Sequence, residues 1–235
     1  MKMVLTMKNK KYYLFQMKML PLNVVCMLLL GLMVGITYLI DKEFLFFSLD
    51  IIYNSFGLFL ICMIFFMVVH EILHSVSYCI YGGKFKNIIY GIELEKGVFY
   101  CLCKQNVNKL NILNSLFFPL FYIGIVTYIL GMVFEIPFLT WLSIFNISGC
   151  AGDIIMFIFM VRLDKNIEFT ELDDSTSFAL YSDSDVSKLN HFGLEYKGSY
   201  DNVERNNLKK INVSKFSWFF LIIILIISLV WFIIL

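Results

Sequence analysis

His70-Glu71-Ile72-Leu73-His74 is the stretch of this 235-residue chain whose side chains are spaced for chemistry. On an α-helix, residues four apart share a face, so two imidazoles can grip one metal ion. Glu71 stands beside them, where a carboxylate can take a proton from water activated by that metal. Imidazole nitrogens with an acidic third ligand and an open position suit zinc. The chain has three histidines, and two of them make this motif. The surrounding run is apolar, and a charge at the centre of a membrane helix costs about 2–3 kcal/mol even on lenient scales. The plainer reading is a polar pair packed against neighbouring helices.

Two histidines need a third ligand. Asp153, in Asn146-Ile-Ser-Gly149-Cys-Ala-Gly152-Asp153, is the only acid besides Glu71 in the interior of an apolar run. Depth tests the pairing. The H-E-x-x-H centre and Asp153 each lie about 16 residues, or roughly 24 Å, from the start of their own run. Glu135 lies at the end of its run and fails that test. Asn146 shares a helical face with Asp153, and two readings stay open for it. It can bind substrate backbone or a developing oxyanion, or it can make a helix–helix hydrogen bond. His191 reads as a surface histidine, Glu93 and Glu95 as solvated charges, and Met63 and Met67 as packing. Of the six cysteines, Cys101 and Cys103 form a C-x-C pair without the second pair that a zinc-site spacing requires.

These residues must be positioned by long apolar elements. The chain is 60% hydrophobic and 16% charged, against about 25% charged in ordinary soluble domains. Five runs are long enough to span a bilayer: 21–40, 56–80, 113–134, 137–161 and 216–235. The first follows a basic stretch but is too long for a signal peptide and ends without a cleavage site. With the N-terminus inside, the inner segments 1–20, 81–112 and 162–215 hold every Lys and Arg except Lys42. The positive-inside rule therefore predicts a cytoplasmic N-terminus and a C-terminus outside. A net charge of +1 gives no electrostatic case for nucleic acid.

The expected fold is all-α and integral to the membrane, with about five transmembrane helices, a small cytoplasmic β-hairpin and a cytoplasmic polar segment. The boundaries are a basic N-terminus over 1–20, a four-helix metalloprotease core over 21–163, a cytoplasmic segment over 164–215 and a last helix over 216–235. Gly82-Gly83 reads as the stop of the metal helix. The hairpin is expected from 88–94 and 98–103, both rich in β-branched and aromatic residues, with Glu95-Lys96-Gly97 as its turn. Since it follows directly after the metal helix, it can align an extended peptide by strand addition.

At these residues the chain resembles the zincin peptidase family of small bacterial multi-pass membrane proteins. The matching features are the H-E-x-x-H at 70–74, Gly82-Gly83, Asn146…Gly152-Asp153, and Asp173-Asp174 followed by Phe178-Ala-Leu-Tyr181. More distantly it resembles the site-2 protease group, which pairs H-E-x-x-H with a later Asn and Asp. Here the proline expected between them is absent, and Gly152 precedes the Asp rather than following it. The resemblance implies His70, His74 and Asp153 as zinc ligands and Glu71 as catalyst. The expected function is hydrolysis of peptide bonds in a peptide or membrane-protein substrate near the cytoplasmic face. The alternatives are a non-catalytic membrane adaptor that retains a metal site, and a cation transporter, for which an internal repeat would be expected.

Overall fold

The computed structural model describes residues 11–93, 98–172, 176–189 and 192–200. Its elements are β1 (Lys11–Met17), α1 (Met19–Ile40), α2 (Lys42–Asn54), α3 (Phe56–Ile80), β2 (Ile88–Glu93), β3 (Val98–Cys103), β4 (Val107–Asn108), α4 (Lys109–Pro119), a π-helical stretch Leu120–Val126, α5 (Thr127–Val133), α6 (Pro137–Gly149), α7 (Ala151–Val161), β5 (Glu168–Glu171), β6 (Ser177–Ser182) and β7 (Leu194–Tyr200).

Among the described residues, three helical segments are long and apolar enough to cross a membrane: Met19–Ile40, Phe56–Ile80 and Lys109–Val133. The pair α6–α7 makes a fourth only if its halves, bent by 47°, count as one span. The expectation of five spans is therefore corrected; its last member, 216–235, lies outside the described residues, as do Glu95-Lys96-Gly97, Asp173-Asp174 and His191. Between the first two of these segments lies α2, outside the five apolar runs. Its start is fixed by Asp41, whose side chain accepts from the Phe44 N–H at 2.8 Å.

The all-α expectation is also overturned. A five-stranded sheet runs in the order β4-β5-β6-β1-β7, and the pairings within it are antiparallel. β1 lies in what was read as a basic tail, and β5 to β7 lie in what was read as a polar segment. Tyr12, Tyr13 and Phe15 are buried in β1, and Phe15 stacks on Phe178 of β6 with ring centroids 5.7 Å apart. β1 and β5 to β7 form a layer together that neither stretch of sequence reveals alone, because strand pairing joins residues more than 160 positions apart, such as Phe15 and Phe178. The expected hairpin does form, with β2 pairing β3 antiparallel from Ile88–Cys103 to Glu93–Val98.

Helix α3 ends as its glycines require. Gly82 takes φ +95°, a conformation a side chain would strain. Its N–H reaches the Cys79 carbonyl at 3.3 Å, and the Gly83 N–H reaches the Tyr78 carbonyl at 2.7 Å. That is the paired hydrogen bonding of a Schellman stop. A Cβ at Gly83 would sit 2.6 Å from the Tyr78 carbonyl oxygen. The turn sends the chain directly into β2 and β3, and β3 packs against α3.

Candidate metal centre

α3 carries His70 and His74 one turn apart, and α7 brings Asp153 to them. His70 Nε2 and His74 Nε2 lie 3.1 Å apart. Asp153 Oδ2 lies 3.3 Å from His70 Nε2 and 3.6 Å from His74 Nε2. Around tetrahedral zinc, ligands at about 2.0–2.1 Å stand about 3.3 Å from one another. The three atoms thus form a triangle with the dimensions of one face of such a tetrahedron.

The far side of each ring says which nitrogen carries its hydrogen. His74 Nδ1 lies 2.9 Å from the Ser115 backbone carbonyl in α4. A carbonyl only accepts, so Nδ1 donates, and in the neutral ring Nε2 keeps the lone pair that faces Asp153. His70 Nδ1 lies 2.9 Å from Asn146 Oδ1 on α6. The amide is oriented by its other end, where Nδ2 faces the Pro119 carbonyl at 3.4 Å. The neutral His70 ring therefore also turns an Nε2 lone pair inward. Two lone pairs and a carboxylate oxygen within 3.6 Å of one another repel unless a metal ion, or a proton on one ring, lies among them. The donor set fits zinc on chemistry as well as on spacing.

Asp153 arrives by a route the sequence reading did not foresee. The predicted single helix over 137–161 breaks at Cys150, and Asp153 falls in the first turn of α7. There the free N–H groups and the helix dipole favour a carboxylate. Cys150 itself is fully buried, with Sγ 4.0 Å from His70 Nδ1. With His70 and Asp153 it forms a second group able to hold a metal, beside His70, Glu71 and His74. A Cβ at Gly152 would meet Met17 and Leu22 atoms at 3.5 to 3.7 Å, ordinary contact distances.

Glu71 lines a cavity of about 370 Å³ together with His70, Asn146, Met67, Phe66 and Phe99. Asn146 thus borders this space while its oxygen is engaged by His70. Phe99 brings β3 to the cavity wall. The Cys101 N–H, two residues on, hydrogen-bonds the Glu71 carboxylate. Alternate amides of a strand point the same way, and the Cys103 N–H on that edge donates to Glu171 of β5. Glu171 also accepts from the Tyr78 hydroxyl at 3.1 Å. Burial pushes the Glu171 carboxyl up to about 8. Ser115, Cys150, Phe99 and Glu171 were not singled out by the sequence reading; only the apolar run around Cys150 carried any hint. The C-x-C pair joins no group of three candidate ligands among the described residues, and burial pushes the Cys103 thiol up to about 11.

No curated protein and no solved structure matches the chain. A family model does, over residues 63–167, and its description is "Putative zincin peptidase". The family implies zinc and suggests a metallopeptidase, and the apolar helices are consistent with membrane association. The matched stretch runs from the approach to His70, through the hairpin and Pro119, past Asp153, and over residues 63–167 the chain is similar to that family.

Proposed function

We propose that the protein is a membrane-embedded zinc peptidase that hydrolyses peptide bonds near the cytoplasmic face. The observation that carries this reading is the convergence of His70 Nε2, His74 Nε2 and Asp153 Oδ2 at 3.1 to 3.6 Å. These three side chains would hold zinc, with Asn146 and the Ser115 carbonyl keeping the two rings in the required tautomer. Bound there, zinc supplies Lewis-acid activation of water and of the scissile carbonyl. Glu71 takes the proton from the attacking water and passes it to the leaving nitrogen. The Cys101 N–H steadies the Glu71 carboxylate between these two transfers. A scissile peptide must be extended, since a helix hides its carbonyls in internal hydrogen bonds. The edge of β3 beside Phe99 offers such a peptide backbone partners.

The orientation proposed is N-terminus inside, with the strands on the cytoplasmic side, as the Lys and Arg distribution favours. A cysteine engineered at Ser187 should then react only from the cytoplasmic side; labelling from outside intact cells would reverse the topology. Function is tested with Glu71→Gln and a panel of membrane-spanning model peptides. Zinc retained and cleavage lost supports the peptidase. Undiminished cellular function in Glu71→Gln would instead favour a non-catalytic adaptor. A photoreactive residue at position 99 in the same variant should crosslink to a panel member that wild type cleaves, and its failure would remove the hairpin from substrate binding.

A further inference from the structure

Pro119 ends α4, where the third span passes into its π-helical stretch. In an α-helix the N–H of residue 119 would bond the carbonyl of residue 115. Proline has no N–H, so the Ser115 carbonyl lacks that partner, and it is this oxygen that His74 Nδ1 meets at 2.9 Å. The carbonyl of Pro119 itself faces Asn146 Nδ2 at 3.4 Å, and Asn146 Oδ1 meets His70 Nδ1 at 2.9 Å. The supports behind both histidines lead back to one residue. π-Helical insertions recur at functional sites because they redirect backbone groups that a regular helix would consume.

We propose that Pro119 is a positioning residue of the metal centre. By withholding a backbone hydrogen from the Ser115 carbonyl, it reserves that oxygen for His74 and holds the His74 lone pair on Nε2. The consequence for metal rests on the zinc reading above, but the tautomer belongs to the metal-free chain as well.

Restoring the N–H tests this. In Pro119→Ala the helix can close its own 119-to-115 hydrogen bond and compete with His74 for that oxygen. The full-length protein, labelled with ¹⁵N-histidine and stripped of metal in detergent, reports the tautomer of each ring, with His74→Ala assigning the signal. Wild type should show His74 protonated on Nδ1, and Pro119→Ala should show a mixture. Zinc affinity by chelator competition should fall about 10–100-fold, as for other outer-shell partners of metal histidines. A second variant carries the α-hydroxy acid analogue of alanine at position 119, whose ester linkage has no N–H; it should restore both readouts. An unchanged His74 tautomer in Pro119→Ala overturns the proposal. So does an ester variant that behaves like alanine, since the ring rather than the missing hydrogen would then matter. Wild type that binds no zinc would sink the zinc reading alone, because the tautomer comparison still decides the role of Pro119.

Discussion

α3 and the α6–α7 pair deliver the proposed ligands to one point in opposite ways. α3 is an uninterrupted helix, and its two histidines meet because 3.6 residues make a turn. α6–α7 is bent by 47°, and Asp153 meets them from the first turn of a new helix. A neutral ligand can ride on a regular helix flank, where spacing alone aligns it. An anionic ligand in an apolar setting gains from a helix N-terminus, whose unsatisfied N–H groups favour the charge. Regularity serves the imidazoles, and a break serves the carboxylate.

The comparison breaks most completely if either arm proves dispensable. Wild type should hold about one zinc per chain, the stoichiometry of a single three-ligand site. His74→Ala should lose it, as read by elemental analysis of purified protein. Asp153→Ala should lose it too; zinc retained at wild-type stoichiometry there would make the bent pair a scaffold rather than a ligand arm. Glu71→Gln separates holding from chemistry. It should keep its zinc while cleavage of the model peptides falls by about 10²–10⁴-fold, the usual worth of a general acid–base.

A sharper test compares the two rings. His70 leans on a side chain, Asn146, whereas His74 leans on a backbone carbonyl, that of Ser115. Asn146→Ala should weaken zinc about 10–100-fold. Ser115→Ala keeps its carbonyl and should leave affinity within about twofold, despite the proximity of the hydroxyl to His74 Nδ1 at 3.4 Å. Equal losses in the two variants would contradict the assignment of the Ser115 carbonyl as the partner.

The same contrast explains what could be read from the chain. His70 and His74 were legible because their relation is local, and Asp153 because few acids enter apolar runs. The Gly82-Gly83 stop and the β2–β3 hairpin were local as well. The break at Cys150 was not, since Gly149 and Gly152 read equally well as close-packing positions. Pro119 sat in a predicted span without betraying which carbonyl it would free. The five-stranded sheet stayed hidden because its central strand, β1, finds partners only near the far end of the chain. Its Lys11-Tyr12-Tyr13-Leu14-Phe15 run follows a basic stretch that looked like a topogenic flank. Glu171 was invisible for a similar reason: Tyr78 and Cys103 are remote in sequence.

The smallest expected effect concerns this last residue, at the junction of the sheet, the hairpin and the metal helix. Burial raises the Glu171 carboxyl from its ordinary 4.5 to about 8, and the nearby Asp153 charge adds to the rise, while the Cys103 N–H and Tyr78 hydroxyl oppose it. Further along the same edge of β3 lies a second carboxyl, that of Glu71. A group whose folded pKa is raised contributes its full stability below the unfolded value and loses it as pH climbs through the folded one. Glu171 therefore favours the fold most below about pH 4.5, and this contribution drains away up to about pH 8. Glu171→Gln fixes a neutral side chain that can still accept from the Cys103 N–H. The melting temperature of wild type relative to this variant should decline by a few degrees between about pH 5 and pH 8, the range in which only the unfolded state has released its proton. A difference that stays flat, or grows in favour of wild type with rising pH, would show that Glu171 is ionised in the fold. The junction would then be held by a charge-assisted hydrogen bond to Cys103 rather than by a neutral acid.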